Sequence, residues 1–192
     1  MATSAAVHAV SEALRSVIEA ARVGTPFPGI TVATFQNEDF AAPPAEGVSI
    51  YLYRVGISGV NRNLSPRTSP DGRRFRPSLP LDLYYLVTPW AKSAARQQEL
   101  LGWSIRAIED HPTLPTDLLN KGGRVFRDGE VVDVVAQPLA PVEWVAVWEF
   151  NKALMRPSMT YVARMVQLDS DLQMTEQPRV QTRGLEITEV SR

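Results

Sequence analysis

Cysteine is absent from this chain of 192 residues. That excludes disulfides, thiolate nucleophiles and cysteine-ligated zinc, and leaves the redox compartment open. Histidine is nearly as scarce, with His8 and His111 alone, so a catalytic triad has few bases to draw on. A surplus of charge is also missing: 20 Lys and Arg stand against 21 Asp and Glu, for a formal net charge of −1. No global field therefore draws the chain toward nucleic acid or an anionic membrane. No apolar run approaches the ~20 residues that a membrane span needs. The first 23 residues are rich in Ala and Ser and carry Arg15 and Arg22, but Glu12 and Glu19 interrupt them, and transit peptides avoid acids. The expectation is synthesis in the cytoplasm without an export signal.

What is present is ordinary globular composition, 44% hydrophobic and 21% charged, in a length that suits one domain. Val7, Val10, Leu14, Val17, Ile18 and Ala21 recur at spacings of three and four and predict an amphipathic helix, capped by Thr3 or Ser4 and stopped at Gly24. Residues 30–35 alternate as a short strand, and 37–47 read as a loop. Residues 48–55 (VSIYLYRV) and 81–88 (LDLYYLVT) are rich in β-branched and aromatic residues and predict strands. The second is apolar on both faces and should lie centrally. Thr88-Pro89 reads as a cap followed by a first-turn proline, opening a helix to about Asp110 whose inner face holds Leu101, Ile105 and Ile108. A helical turn at 114–120, a strand at 131–137, a helix at 141–155 and a strand at 158–168 follow. The 141–155 helix is apolar almost all round and should be covered on more than one side. The order predicts an α+β fold: a single domain over 1–168, with a mixed or mostly antiparallel sheet and helices packed on one face. Residues 169–192 are expected to form a C-terminal tail, with a short strand near 185–190.

No nucleophile elbow or phosphate-cradling loop occurs, and Lys121-Gly122-Gly123-Arg124 is too short for one. Glu109, Asp110 and His111 are adjacent on a helix end and point apart, so they do not chelate together. The acids Asp169 and Asp171 read as solvated surface. No catalytic residue, cofactor site or metal site is expected.

The segment 56–80 stands out. It is broken by glycines and prolines and reads as a long loop, of a kind that compact domains keep for a use. Arg54, Arg62, Arg67, Arg73, Arg74 and Arg76 face only Asp71 there, and Phe75 lies among them. Three readings stand: docking on carboxylates of a protein partner, a nucleic-acid-binding module using the arginine-rich loop 54–76, or a solvated loop. Trp144 and Trp148 add candidate interface anchors.

Word-level pattern goes further. An N-terminal helix, VSIYLYRV, PLDLYYLVTPW, QQELLGWSIRAIEDHP, VVDVVAQPLAPVEWVAVWEF and ALMRPSMTYVARMVQLD follow one another across roughly Val7 to Asp169. In this order the chain resembles the cap, or tail-terminator, family of bacterial contractile injection systems, the phage-tail-like particles of the Photorhabdus virulence cassette and antifeeding prophage type. The most specific pieces are Leu83-Tyr84-Tyr85-Leu86-Val87-Thr88 and Arg156-Pro157-Ser158-Met159-Thr160-Tyr161. The resemblance implies a structural role: a homo-oligomeric ring, expected to be a hexamer, that closes a tube-and-sheath assembly. It implies sheath and inner-tube proteins as partners. It implies no cofactor, no small-molecule substrate, no nucleic acid and no insertion into a membrane.

Overall fold

The chain order is α1 (Ala6–Ala20), β1 (Thr31–Phe35), β2 (Gly47–Ile57), β3 (Arg67–Thr68), β4 (Arg74–Phe75), β5 (Leu79–Trp90), α2 (Ala94–Glu109), β6 (Thr113–Leu114), α3 (Thr116–Leu119), β7 (Val132–Ala136), α4 (Pro141–Val147) and β8 (Met159–Leu168). Short 3-10 turns span Asn37–Ala41 and Glu149–Leu154. This computed structural model describes residues 4–60, 64–69 and 71–174, the side chains of 150–152 excepted. The expected strand near 185–190 and the candidate Thr3 cap lie outside the described residues, and the other candidate, Ser4, does not cap α1, whose N-cap is Ala5 with no side-chain hydrogen bond.

Six strands form one mixed sheet in the order β1-β2-β5-β8-β7-β6, and β3 and β4 form a separate two-stranded ribbon. β1 pairs parallel with β2, and the other neighbours pair antiparallel. The expected α+β architecture holds. β5 lies between β2 and β8 as its two-sided apolar pattern requires: Leu83, Tyr85, Leu86 and Val87 are all buried. Gly47 begins β2 where the backbones of β1 and β2 meet, since a Cβ there would lie 2.3 Å from the Thr31 carbonyl oxygen.

The large core lies on one face of the sheet. Val10, Leu14, Val17 and Ile18 of α1, Leu100 and Ile108 of α2 and Leu119 of α3 close over Ile50, Leu83, Tyr85 and Tyr161. Each such side chain contributes about 1.5–3 kcal/mol when fully buried. The Tyr85 hydroxyl meets Ser11 Oγ at 2.9 Å inside this core. Burial pushes the phenol's pKa up, more than the Ser11 hydrogen bond lowers it. On the opposite face a smaller aromatic core joins Phe40, Leu86, Trp90 and Trp148.

Four expectations need correction. Thr88 and Pro89 do not open a helix: β5 runs through them to Trp90, and α2 starts after Ser93, whose Oγ accepts from the Arg96 N–H at 3.3 Å. Pro89 is tolerated because it lies beyond the last β5–β8 pair, Val87 with Met159. At that height β5 is an edge strand, where a missing N–H is harmless. α2 buries Leu100, Ser104, Ala107 and Ile108, one step round from the expected Leu101 and Ile105. The 141–155 helix is α-helical only to Val147 and then tightens into the 3-10 turn. It is covered on one side only: Val142 is 81% exposed and Val145 50%. Finally, 56–80 is not one long loop, because both flanking strands reach into it and β3 and β4 fold within it.

Candidate functional site

The ribbon grows from a local signal. Ser69-Pro70-Asp71-Gly72 is turn chemistry between two short extended pieces. Gly72 N–H donates to Ser69 O at 2.9 Å, and Gly72 has φ +84°, which glycine adopts without strain. Arg67 pairs with Phe75 and Thr68 with Arg74. Residues 172–174 then lie along β4: Phe75 bridges Gln173, Arg76 N–H donates to Leu172 O at 3.0 Å and Met174 N–H donates to Arg74 O at 2.8 Å.

A buried carboxylate ties the ribbon to the domain. Asp169 leaves β8 with its side chain only 1% exposed. It accepts from Ser78 Oγ at 2.5 Å and from Arg127, and lies 3.7 Å from the Arg67 guanidinium, which also donates to Ser170 O at 3.1 Å. Burial pushes the Asp169 carboxyl's pKa up. The hydrogen bonds from Ser78 and Arg127, with the charges of Arg127 and Arg67, together outweigh that and hold it below the ordinary carboxylate range. The expectation that Asp169 is solvated is therefore wrong. Its partners come from three distant stretches of chain, which no local pattern reveals.

The candidate arginines have separate fates. Arg67 is spent on Asp169 and on Phe75, its guanidinium carbon 4.3 Å from the ring centroid. Arg73 pairs with Asp71 at 2.6 Å in the open. Arg74 and Arg76 are exposed, with no ion pair among the described residues. Arg54 lies 4.2 Å over the Tyr84 ring. Arg62 lies outside the described residues. With Arg67 on the Phe75 ring, that ring has lost a face on which a base could stack.

The two candidate tryptophans also separate. Trp148 is 1% exposed and packs edge-on to Phe40 at 5.9 Å, so it is a core residue and offers no contact surface of its own. Trp144 is half-buried at 6.3 Å from it. Beside them Arg156, of the Arg-Pro-Ser motif, lies 4.1 Å over Trp90 and donates to Leu154 O at 2.9 Å. The exposed apolar residues here, Val142, Val145 and Met155, were not anticipated individually.

His8 lines a hollow between α1 and α3 with Glu12, Arg15 and Lys121. Glu12 there is bound to Arg15 at 3.0 Å and accepts from Thr34 at 3.2 Å. His111 is exposed, its Nδ1 3.0 Å from Ala107 O. Asp110 pairs with Arg106 rather than with His111. Among the described residues no group of three His, Asp or Glu is placed to hold a metal.

A mixed six-stranded sheet with three helices on one face and an aromatic core on the other is a fold shared with terminators of contractile tails. The sheath/tube terminator of an extracellular contractile injection system (PVC), solved by cryo-EM in its extended state, superposes with a TM-score of 0.66 and 14% identity, over 96% of this chain and 64% of that one. The tube-terminating cap of the anti-feeding prophage (AFP) gives 0.57 and 14%, over 91% and 60%. At that identity the likeness establishes the fold, and this chain spans less than two thirds of each. Residues 9–182 match the Pvc16 N-terminal domain, and the chain belongs to that family. No curated protein matches the sequence.

Proposed function

We propose that this chain is a structural cap that closes the end of a contractile tube and sheath, stops tube polymerisation and anchors the last sheath layer. The observation that carries the reading is the shared fold with the PVC sheath/tube terminator over 96% of this chain, joined to membership of the Pvc16 N-terminal domain family. In this reading the chain acts as a homo-oligomeric ring, a hexamer, and is not an enzyme. It is made in the cytoplasm and becomes part of a phage-tail-like particle, with sheath and inner-tube proteins as partners. It takes no cofactor, substrate or nucleic acid and does not insert into a membrane. Arg73, Arg74 and Arg76 on the ribbon and Trp144 of α4 are the contact residues, through carboxylate pairing and apolar burial. The test is retention. Tagged chain expressed with the sheath and inner-tube proteins of its own particle should hold both through washing at physiological salt. Recovery of neither would remove the cap reading.

A further inference from the structure

Two faces of this molecule are built alike in opposite charge. The first is the outer face of the ribbon. Antiparallel partners share a face, so the register places Arg74 beside Thr68 and Met174, and Arg76 beside Leu172, while Arg67, Phe75 and Gln173 turn to the other side. Leu172 is 59% exposed and Met174 38%, so two arginines with no ion pair among the described residues are flanked by two open apolar side chains. The hydrogen bonds along 172–174 and the Asp169 anchor hold this face in place. A preorganised face loses little ordering entropy on binding.

The second is the outer side of α4. Val142, Val145 and Ala146 follow at helical spacing and are exposed. The helix itself carries Glu143 and no cation. Trp148, locked against Phe40, fixes the inner side, so the outer side is presented on a rigid base. Charge is divided the same way over the whole chain. Residues 67–76 hold four arginines against Asp71, and the remainder holds 16 Lys and Arg against 20 Asp and Glu.

We propose that the ribbon of one copy docks on α4 of a second copy: Arg74 and Arg76 meet the acidic first turn of the helix at Glu143, and Leu172 and Met174 cover Val142 and Val145. Because the two faces differ, the contact is head-to-tail, the kind that closes into a ring when the rotation allows. The inference rests on the ring reading above and assigns its two surfaces. A different acidic protein lacks the argument that both halves of the match, apolar and charged, occur on this chain.

The full chain tests this by light scattering and mass photometry, with circular dichroism as a check on folding. One variant, Arg74→Glu/Arg76→Glu, spoils the ribbon; the other, Val142→Gln/Val145→Gln, spoils the helix. Each alone should lose at least tenfold in self-association. Mixed, they retain one good ribbon and one good helix, and should form a 1:1 dimer that grows no further. Arg74→Gln/Arg76→Gln stands in if the charge reversal perturbs folding. Rings from either variant alone at wild-type concentration, or a mixture that stays monomeric while the wild type forms rings, would overturn the pairing and leave the ring reading intact. A wild-type chain that does not self-associate, free or on tube ends, removes the ring reading and this inference together.

Discussion

Replacing Asp169 with Asn isolates the charge that holds the ribbon down. The side chain keeps its shape and one acceptor oxygen, so Ser78 or Arg127 can still find a partner. What is lost is the negative charge facing Arg127 and Arg67. Breaking a buried ion pair by removing one partner costs about 3–5 kcal/mol. The Arg127 side chain is 41% exposed and can rehydrate, while that of Arg67 is only 10% exposed and cannot do so fully. The expected loss is thus about 2–3 kcal/mol, below the fully buried case. For a chain of this size that lowers Tm by roughly 4–12 °C. Hydrogen exchange should localise the effect: the amides of Arg76 and Met174, bonded across β4, should exchange faster while those of β5 change little. The sign with pH follows from the depressed pKa of Asp169. The Asp169 contribution is complete above the unfolded carboxyl pKa of about 4 and is lost as pH falls through the lower folded value. The difference between wild type and variant should therefore shrink on acidification below about pH 4. A variant within 0.5 kcal/mol of wild type at pH 7, by the urea scale of about 1–3 kcal/mol per molar, would refute the latch.

Three further perturbations test the fold and the absence of chemistry. Trp148→Ala should cost about 3–5 kcal/mol in urea unfolding, because it empties the centre of the aromatic core; a loss under 1 kcal/mol would contradict its packing. Gly47→Ala should destabilise by at least about 1–3 kcal/mol, since its Cβ meets the Thr31 carbonyl, and circular dichroism melting would detect it. Replacing His8 and His111 together with Gln should leave Tm and ring formation unchanged by scattering, and loss of assembly with normal folding would reveal a site at one of them.

Much of the sheet was legible because its strands carry their own pattern. Residues 48–55 and 81–88 are β-branched and aromatic, and lie in β2 and β5. The periodicity of residues 7–21 gives α1 almost to its ends. Thr88-Pro89 misled because a cap followed by proline is the same signal whether a helix begins there or a strand outlasts its neighbour. Only the stagger of β8 against β5 separates the two, and that is tertiary information. The ribbon was legible in part, since Pro70-Asp71-Gly72 marks a turn between extended pieces, yet the surrounding glycines and prolines drowned it. The role of Asp169 could not be read, because Ser78 and Arg127 lie 91 and 42 residues away. The over-apolar 141–155 segment was recognised and expected to be covered on more than one side. In the fold one side of it feeds the aromatic core and the other is left open.

Electron cryo-microscopy of particles assembled with and without this chain shows whether it caps them. Density for the chain is expected at one end of each particle, with tubes and sheaths of uncontrolled length or open ends when it is omitted. Particles of normal length with closed ends in its absence, and no density for it at either end in its presence, would show that it is not a cap.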